Sequence, residues 1–293
     1  MKTKLPFHLI ILLSLLVAAL PARAGALVPA NFTQNSLSTP ITTITRVSVD
    51  SSGTQGNKWS EYPSISADGR YVAFASIADN LVSGDTNGME DIFLRDTQAG
   101  ITTRLSVDSS GMQGNDDSAS PSISADGHYV AFSSGYYWRN IFLRDTQMGT
   151  TALLSLDPSG KEGNWDSGWP SISADGRYVA FWSKADNLVS GDTNLYDDIF
   201  LRDTHTGITT LVSVDSNGTQ ENEDSYSPSI SADGRYVTFV SYASNLVSGD
   251  TNGREDIFLH DTQTGTTTRL SVDSSGTQGD GQSYTPSISA DGR

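Results

Sequence analysis

The residues of this chain with the clearest capacity for chemistry are acidic and amide side chains in a recurring loop, Gly-Asp-Thr-Asn-Gly-x-x-Asp. The loop spans residues 84–91 and 249–256, and a third copy at 191–198 has Leu195 in place of the second glycine. It resembles a shortened calcium-binding loop, because Ca²⁺ prefers hard oxygen ligands. The predicted metal ligands are Asp85, Asn87, Asp91, Asp192, Asn194, Asp198, Asp250, Asn252 and Asp256.

The same loop has a structural interpretation that involves no metal. Aspartate and asparagine side chains accept hydrogen bonds from nearby backbone N–H groups in Asx turns, and Asn-Gly is a common turn pair. Three side chains cannot fill a calcium shell of about six oxygens without help from carbonyls and water. The second repeat lacks the acidic loop and has Asn140 at the position of Asp91, so we expect no metal site there.

Aromatic residues form the second group of candidate binding residues. Tyr and Trp side chains are the usual anchors of recognition surfaces, where they stack on sugars or grip peptides. They could instead fill the space left by the missing loop and cover the inner strands. The predicted ligand-binding residues are Tyr136, Tyr137, Trp138, Trp165 and Trp169.

Residues for catalysis are poorly represented. The chain has no cysteine, which excludes thiolate chemistry and disulfide bonds. His128, His205 and His260 occupy three different positions of the repeat, and no Gly-x-Ser-x-Gly motif is present. These features favour a protein that is not an enzyme.

A repeated heptapeptide supplies the framework for these residues. Pro-Ser-Ile-Ser-Ala-Asp-Gly begins at Pro63, Pro121, Pro170, Pro228 and Pro286. Successive copies are 58 residues apart, except for 49 residues between the second and the third. Such a period indicates one supersecondary unit stacked on copies of itself.

Each repeat reads as four short strands. In the first copy we expect strands at 63–66, 71–75, 91–96 and 102–107, with Pro63 at a strand start and an Asp-Gly hairpin turn. The second strand is apolar on both faces, as in a buried strand, whereas the fourth alternates as a peripheral strand does. Four antiparallel strands from the inside outward describe a β-propeller blade.

The predicted fold is therefore all-β, with a β-propeller domain at 41–293 made of four complete blades and a split partial blade. The complete blades are expected at about 63–108, 121–156, 170–214 and 228–272, and the partial strands at 42–49 and 286–289. The chain ends within a hairpin motif at Arg293. We therefore expect a fragment of a longer propeller, truncated at its C-terminus, because unpaired strand edges promote aggregation.

Two segments of the repeat carry a family resemblance. The run Ser-Ala-Asp-Gly-Arg-Tyr-Val-Ala-Phe and the later Asp-Ile-Phe-Leu-Arg-Asp resemble the TolB-like (PD40, WD40-like) propeller repeat of exported bacterial proteins, over essentially all of residues 41–293. The resemblance implies a non-enzymatic platform for protein interaction or ligand binding. Similar propellers also occur in secreted peptidases and polysaccharide-degrading enzymes. A propeller portion of such an enzyme, or a calcium-dependent carbohydrate binder, is therefore the alternative.

The N-terminus and the charge restrict location and partners. Residues 1–24 combine Lys2 and Lys4, an apolar run and Ala22-Arg23-Ala24, which is typical of a secretory signal peptide. Residues 25–40 are then a linker, and no membrane span is expected after cleavage. The net charge of −16 disfavours nucleic acid and anionic membranes. We expect a periplasmic or secreted protein.

Strand order predicts which face binds. In an antiparallel blade, the connection from the second to the third strand and that from the fourth to the next blade emerge on the same side. These are the two long connections of the repeat, although the second repeat has a shortened second-to-third connection. We name this side the long-loop face. Loops on a rigid scaffold carry function more often than tight turns do. A protein or a glycan is the expected partner on this face.

Overall fold

A computed structural model describes residues 44–135 and 139–293. Its strands contain six residues each, except for the last of every blade, which has four. The strands are β1 (Ser60–Ile65), β2 (Tyr71–Ser76), β3 (Asp91–Asp96), β4 (Ile101–Arg104), β5 (Ser118–Ile123), β6 (Tyr129–Ser134), β7 (Asn140–Asp145), β8 (Thr150–Leu153), β9 (Ser167–Ile172), β10 (Tyr178–Ser183), β11 (Asp198–Asp203), β12 (Ile208–Leu211), β13 (Ser225–Ile230), β14 (Tyr236–Ser241), β15 (Asp256–Asp261) and β16 (Thr266–Arg269).

The strands form four antiparallel sheets of four, with the strands of each sheet side by side in chain order. The sheets are β1–β4, β5–β8, β9–β12 and β13–β16. The first strands of the sheets, β1, β5, β9 and β13, pack beside one another. Together with Pro286 they line a common channel through their proline-containing segments. Four-stranded sheets placed around a shared axis are the blades of a β-propeller, so the predicted fold class is confirmed.

The hydrophobic core lies within and between the blades. In the first blade the rings of Phe74 and Phe93 stack with their centroids 5.8 Å apart, and equivalent pairs occur in the other three blades. Between blades, Ile92 of β3 packs in one cluster with Ile123 and Val130 of the next blade. The second strands are buried on both faces, as their sequence predicts.

Each first strand begins three residues earlier than the sequence predicts. β1 starts at Ser60, and Pro63 lies inside it, at a shift of register between Glu61 and Ser64. The prediction of Pro63 at a strand start was therefore wrong. A β-bulge leaves one residue unpaired, so the missing N–H of proline breaks no ladder hydrogen bond there.

The partial strands predicted at the two ends of the domain were also wrong as strands. Within 44–49 only Val49 forms a bridge, to Gln55, and residues 286–289 form no strand. The latter segment still holds the place of a first strand, because Ile288 N donates to Ser229 Oγ as Ile230 N does to Ser171 Oγ. The predicted signal peptide at 1–24 and linker at 25–40 lie outside the described residues.

Within the described ranges, no helix is long and apolar enough to cross a membrane.

Successive blades are joined through the Ala-Asp-Gly hairpins of the repeated motif. The N–H of Ala67 donates to the carbonyl of Ala125 at 2.9 Å, and the same bond recurs from Ala125 to Ala174 and onward along the chain. Beside it, the ring of Tyr71 packs so closely on Gly127 that a Cβ there would lie 2.3 Å from the ring. The motif therefore encodes the junction between blades.

The tyrosine is held in place by its own blade. Arg70 lies over the Tyr71 ring, with its guanidinium carbon 4.7 Å from the ring centroid, and pairs with Asp96 at 2.7 Å. In the second blade His128 takes the same place, stacking on Tyr129 and bonding Asp145. The ring is thus clamped between a planar cation or imidazole and the glycine of the next blade.

Gly176→Ala tests this junction. Gly176 has φ +75° and a Cβ would meet the Tyr129 ring at 2.2 Å. We expect a loss of about 2–4 kcal/mol in the free energy of unfolding, from the strained backbone and the steric clash together. Urea denaturation followed by tryptophan fluorescence measures it.

Gly218→Ala is the matched control, because it has φ +82° with nothing within 4 Å of the added Cβ. We expect a loss of only about 1 kcal/mol, the backbone contribution alone. Equal losses for the two variants would show that the contact between Tyr129 and Gly176 adds nothing to stability.

Candidate functional site

The connections between strands lie on two opposite faces, and hydrogen bonds link the connections within each face. On one side, the short turns bond each other through Thr97 N and the carbonyl of Arg70, 2.9 Å apart. On the opposite side, Asn87 Nδ2 donates to the carbonyl of Gly114 at 3.0 Å and joins the two long connections of the first blade. The acidic loops therefore lie on the long-loop face.

In the first blade an arginine neutralises the acidic loop. Asp91, at the start of β3, is completely buried and accepts a hydrogen bond from the Ser106 hydroxyl. Arg104 at the end of β4 places Nη1 3.2 Å from Asp85 and 3.4 Å from Asp91. Although burial raises the pKa values of both aspartates, the guanidinium opposes that shift. The position between the two carboxylates is occupied by a cationic side chain.

The fourth blade repeats this arrangement. Arg269 Nη1 lies 3.6 Å from Asp250 and 3.9 Å from Asp256. Gln278 Nε2 also donates to both carboxylates, each at 2.8 Å. Two aspartates thus share one guanidinium and one amide.

The asparagines of the loops form Asx turns. Asn87 Oδ1 accepts from Met89 N at 3.0 Å, and Asn252 Oδ1 accepts from Arg254 N at 2.9 Å. Asn194 makes the same turn in the third blade. The amide oxygens are therefore used by the backbone, as the structural interpretation of these loops predicts. Metal binding by the loops stays a prediction.

The third blade departs from this pattern because Leu211 takes the place of the arginine. Gln220 Nε2 alone bridges the carboxylates, 2.8 Å from Asp192 Oδ1 and 3.1 Å from Asp198 Oδ2. Burial raises the pKa of Asp192 to about 6. The stability of this loop therefore depends on what offsets the negative charge of Asp192 and Asp198.

A third carboxylate, Glu221, adds to this cluster. The residue is 2% exposed, and neither of its carboxylate oxygens has a hydrogen-bond partner. Burial, followed by the neighbouring Asp198 carboxylate, holds the pKa of Glu221 well above its usual range. Among the described residues, no three acidic or histidine side chains are already arranged to hold a metal ion.

The second blade has a neutral substitute. Asn140 stands at the position of Asp91, and its Oδ1 accepts from the Ser155 hydroxyl at 2.7 Å. Ser106, two residues after β4, and its equivalents thus donate a hydrogen bond to the aspartate or asparagine at the start of the third strand in every blade.

The predicted aromatic ligand-binding residues are only partly described. Tyr136, Tyr137 and Trp138 lie outside the described residues. Trp169 lines the channel and is 49% exposed, and Trp165, just before β9, is 46% exposed. Four further exposed aromatic residues lie just before β1, within β1, in the connection after β14 or shortly before Pro286. They are Trp59, Tyr62, Tyr242 and Tyr284.

The channel residues that precede the prolines have an unusual backbone. They adopt φ between 45° and 54°, a left-handed conformation that is uncommon outside glycine. In β1, β5, β9 and β13 this residue lies at the bulge, and Thr285 has the same conformation in a segment that forms no strand; all five line the channel. These residues are Tyr62, Ser120, Trp169, Ser227 and Thr285.

Carboxylates accompany the aromatic residues at the long-loop end of the first strands, which we name the channel mouth. Burial, and then the adjacent Glu61, raise the pKa of Glu90 to about 7. Near the start of β13 the rings of Tyr226 and Tyr242 lie 6.1 Å apart, and Glu255 raises the pKa of Tyr242. The mouth thus combines aromatic surface with acidic groups.

Several residues of these sites were missed from the sequence. A comparison of the four repeats at the last residue of each fourth strand would have found arginine in the first and fourth blades and leucine in the second and third. These residues are Arg104, Leu153, Leu211 and Arg269. The same comparison shows Glu221 where the other repeats have glycine. Neither signal belongs to a motif, because each is a difference between repeats.

Comparisons with known proteins gave matches among solved structures alone. No protein-family model matches the chain, and no curated protein matches its sequence. Solved structures of similar fold include TolB from Acinetobacter baumannii, at 19% identity over 73% of this chain and 43% of that chain, with a TM-score of 0.48. A putative TolB from Agrobacterium tumefaciens is 19% identical over 75% of this chain and 64% of that one, with a TM-score of 0.47.

A puromycin-hydrolyzing peptidase from Mycobacterium tuberculosis is 15% identical over 74% of this chain and 29% of that one, with a TM-score of 0.48. The chain therefore spans less than two thirds of these proteins. At such identities and TM-scores the likeness carries no argument about family or function.

Arg104→Met tests the charge balance of the first blade. Removing the guanidinium leaves Asp85 and Asp91 buried without their cation, so we expect a loss of about 3 kcal/mol in the free energy of unfolding at pH 7. Chemical denaturation measures it. Arg254→Met, at an exposed position, is the control and should change stability by less than about 0.5 kcal/mol. Similar values for both variants would contradict the assigned role of Arg104.

Glu90→Gln tests the acidic side of the mouth. Because the folded-state pKa of Glu90 is about 7, above the ordinary value of 4.5, the folded state binds more protons between these pH values. The stability of the native sequence should fall as pH rises from 4.5 to 7. This part of the pH dependence of stability should be absent in the glutamine variant. The variant should therefore be more stable than the native sequence at pH 8. Denaturation midpoints from pH 4 to 8 that run parallel for the two proteins would contradict this.

Proposed function

We propose that this chain is a non-enzymatic binding module, exported to the periplasm or secreted, that takes a basic protein segment at the channel mouth. The observation that carries the proposal is the set of exposed aromatic residues around the mouth, among them Trp59 at 64% and Trp169 at 49% exposure. Large aromatic side chains in water are costly unless a partner covers them.

The acidic groups at the mouth favour a cationic partner. Glu61, Glu90 and Asp117 lie close together there, and their mutual repulsion contributes to the raised pKa of Glu90. A lysine or arginine side chain would relieve this repulsion. The overall charge of −16 would steer such a segment toward the protein at low ionic strength.

The backbone of the mouth also suits binding. Residues held in sparsely populated conformations persist where the surrounding structure fixes them, and they cluster at binding and catalytic sites. Here Trp169 has φ 45° and lies at the bulge of β9. Its indole is thus presented from a rigid strand, which lowers the entropy lost when a partner binds.

The test uses fluorescently labelled twelve-residue peptides that share aromatic residues and differ only in carrying Lys/Arg or Asp/Glu. We expect the basic peptides to bind and the acidic ones to fail, with affinity falling as NaCl rises. Trp169→Ala should weaken binding by about 10-fold or more, the loss typical of an aromatic anchor. Fluorescence anisotropy measures each dissociation constant.

Met148→Ala is the matched control, because Met148 is 75% exposed in the short turn between β7 and β8 on the opposite face. It should bind peptides as the unchanged protein does. Equal affinity for acidic and basic peptides, or no effect of Trp169→Ala, would refute the proposal. Selective binding on a glycan array that depends on Trp165 and Trp169 would instead assign a carbohydrate partner.

A further inference from the structure

We propose that the third blade binds one Ca²⁺ ion between Asp192, Asp198 and Glu221, at a position that an arginine fills in the first and fourth blades. The site is separate from the channel mouth, because it is built from the connection before β11, the start of β11 and the connection that follows β12. The failure of either proposal therefore leaves the other intact.

The first argument compares charges in equivalent blades. The first blade has Asp85 and Asp91 against Arg104, and the fourth has the same pair of acids against Arg269. The third blade has the two acids, a further carboxylate and a leucine. Buried carboxylates require a paired charge or a coordinated metal. Among the blades as far as the structure describes them, the third has the acidic cluster that no side chain of the cluster balances.

The second argument is the geometry around Gln220. Its Nε2 lies 2.8 Å from Asp192 Oδ1, and 3.3 Å and 3.1 Å from the two oxygens of Asp198. One weakly positive atom therefore stands among three carboxylate oxygens. A small contraction of this shell would give the 2.3–2.6 Å typical of calcium–oxygen ligation. If the amide group rotated, Gln220 Oε1 would become a further ligand.

The third argument is the enclosed carboxylate of Glu221. It follows Gln220 in the chain, and its N–H donates to the carbonyl of Ser213, whose hydroxyl in turn bonds Asp198 Oδ1 at 3.0 Å. The backbone is thus tied to the aspartate of the cluster. The two Glu221 oxygens have no donor and are shielded from solvent. A buried acceptor without a donor is costly, and a bound cation would satisfy it.

The ligand set selects the ion. Carboxylate and amide oxygens without nitrogen or sulfur ligands favour Ca²⁺ or Mg²⁺ over transition metals. The spacing of the oxygens around Gln220 Nε2 is wider than the near-ideal octahedron at about 2.1 Å that Mg²⁺ demands. An open cleft lined by Thr193, Asn194, Gln220 and Glu221 provides access for the ion and for its remaining water ligands.

The test is isothermal titration calorimetry, in which CaCl₂ is added to the full chain. The protein is first freed of metal with EDTA and dialysed. We expect one site per chain. Glu221→Gly, which restores the glycine of the other blades, should weaken binding by about 10-fold or more, through the loss of one of three charged ligands. Leu211→Arg should abolish binding, because it places a guanidinium between the two aspartates as in the first blade.

Asp250→Asn is the matched control in the fourth blade and should leave both the affinity and the stoichiometry unchanged. Thermal unfolding gives a second readout, with a rise of about 5 °C expected at about 100 times the dissociation constant. This rise should vanish in Leu211→Arg while that variant keeps a cooperative transition.

Several results would overturn the proposal. They are the absence of both binding heat and thermal shift, three equivalent sites per chain, and unchanged binding in both Leu211→Arg and Glu221→Gly. A thermal transition that ignores CaCl₂ but rises steadily as pH falls toward 5 would show that protons, rather than a cation, balance the cluster. A stronger response to MgCl₂ than to CaCl₂ would contradict the choice of ion.

Discussion

The junction between successive blades is the contact on which the rest of this structure depends. One alanine N–H reaches the alanine carbonyl of the next blade, and one tyrosine ring rests on the next glycine. Neither contact is available to a blade by itself, so the apolar faces of β2 and β3 are buried only when a neighbour is present. The channel, its ring of left-handed residues and the long-loop face all take their positions from this junction.

Much of the fold could be predicted from the sequence because it repeats. The apolar run at 71–75 and the Asp-Gly turns are local signals, and the structure places the run in β2 (Tyr71–Ser76) and the turns in hairpins. The early start of the first strands could not be predicted, because Pro63 is a common breaker and only a bulge makes it tolerable inside a strand. That bulge depends on pairing with β2, which is a tertiary effect.

The candidate sites were predictable only where they coincide with a motif. Asp85, Asp91 and their equivalents were identified from spacing, but the arginine between them is distant in sequence and joins them through strand pairing. The sequence therefore suggested three similar loops, whereas the structure distinguishes two loops with an internal cation from one without. The glutamate at position 221 belongs to no motif and is informative only by contrast with Gly114 and Gly279.

The identical junctions have an evolutionary consequence. Because every blade presents the same alanine, tyrosine and glycine to its neighbours, any blade can follow any other. Recombination between repeats can therefore duplicate, delete or reorder blades without creating a mismatched interface. Meanwhile the residue before each proline, which is tyrosine, serine, tryptophan or threonine in this chain, is free to vary. Such a gene can change its binding surface by shuffling units whose mutual fit is already assured.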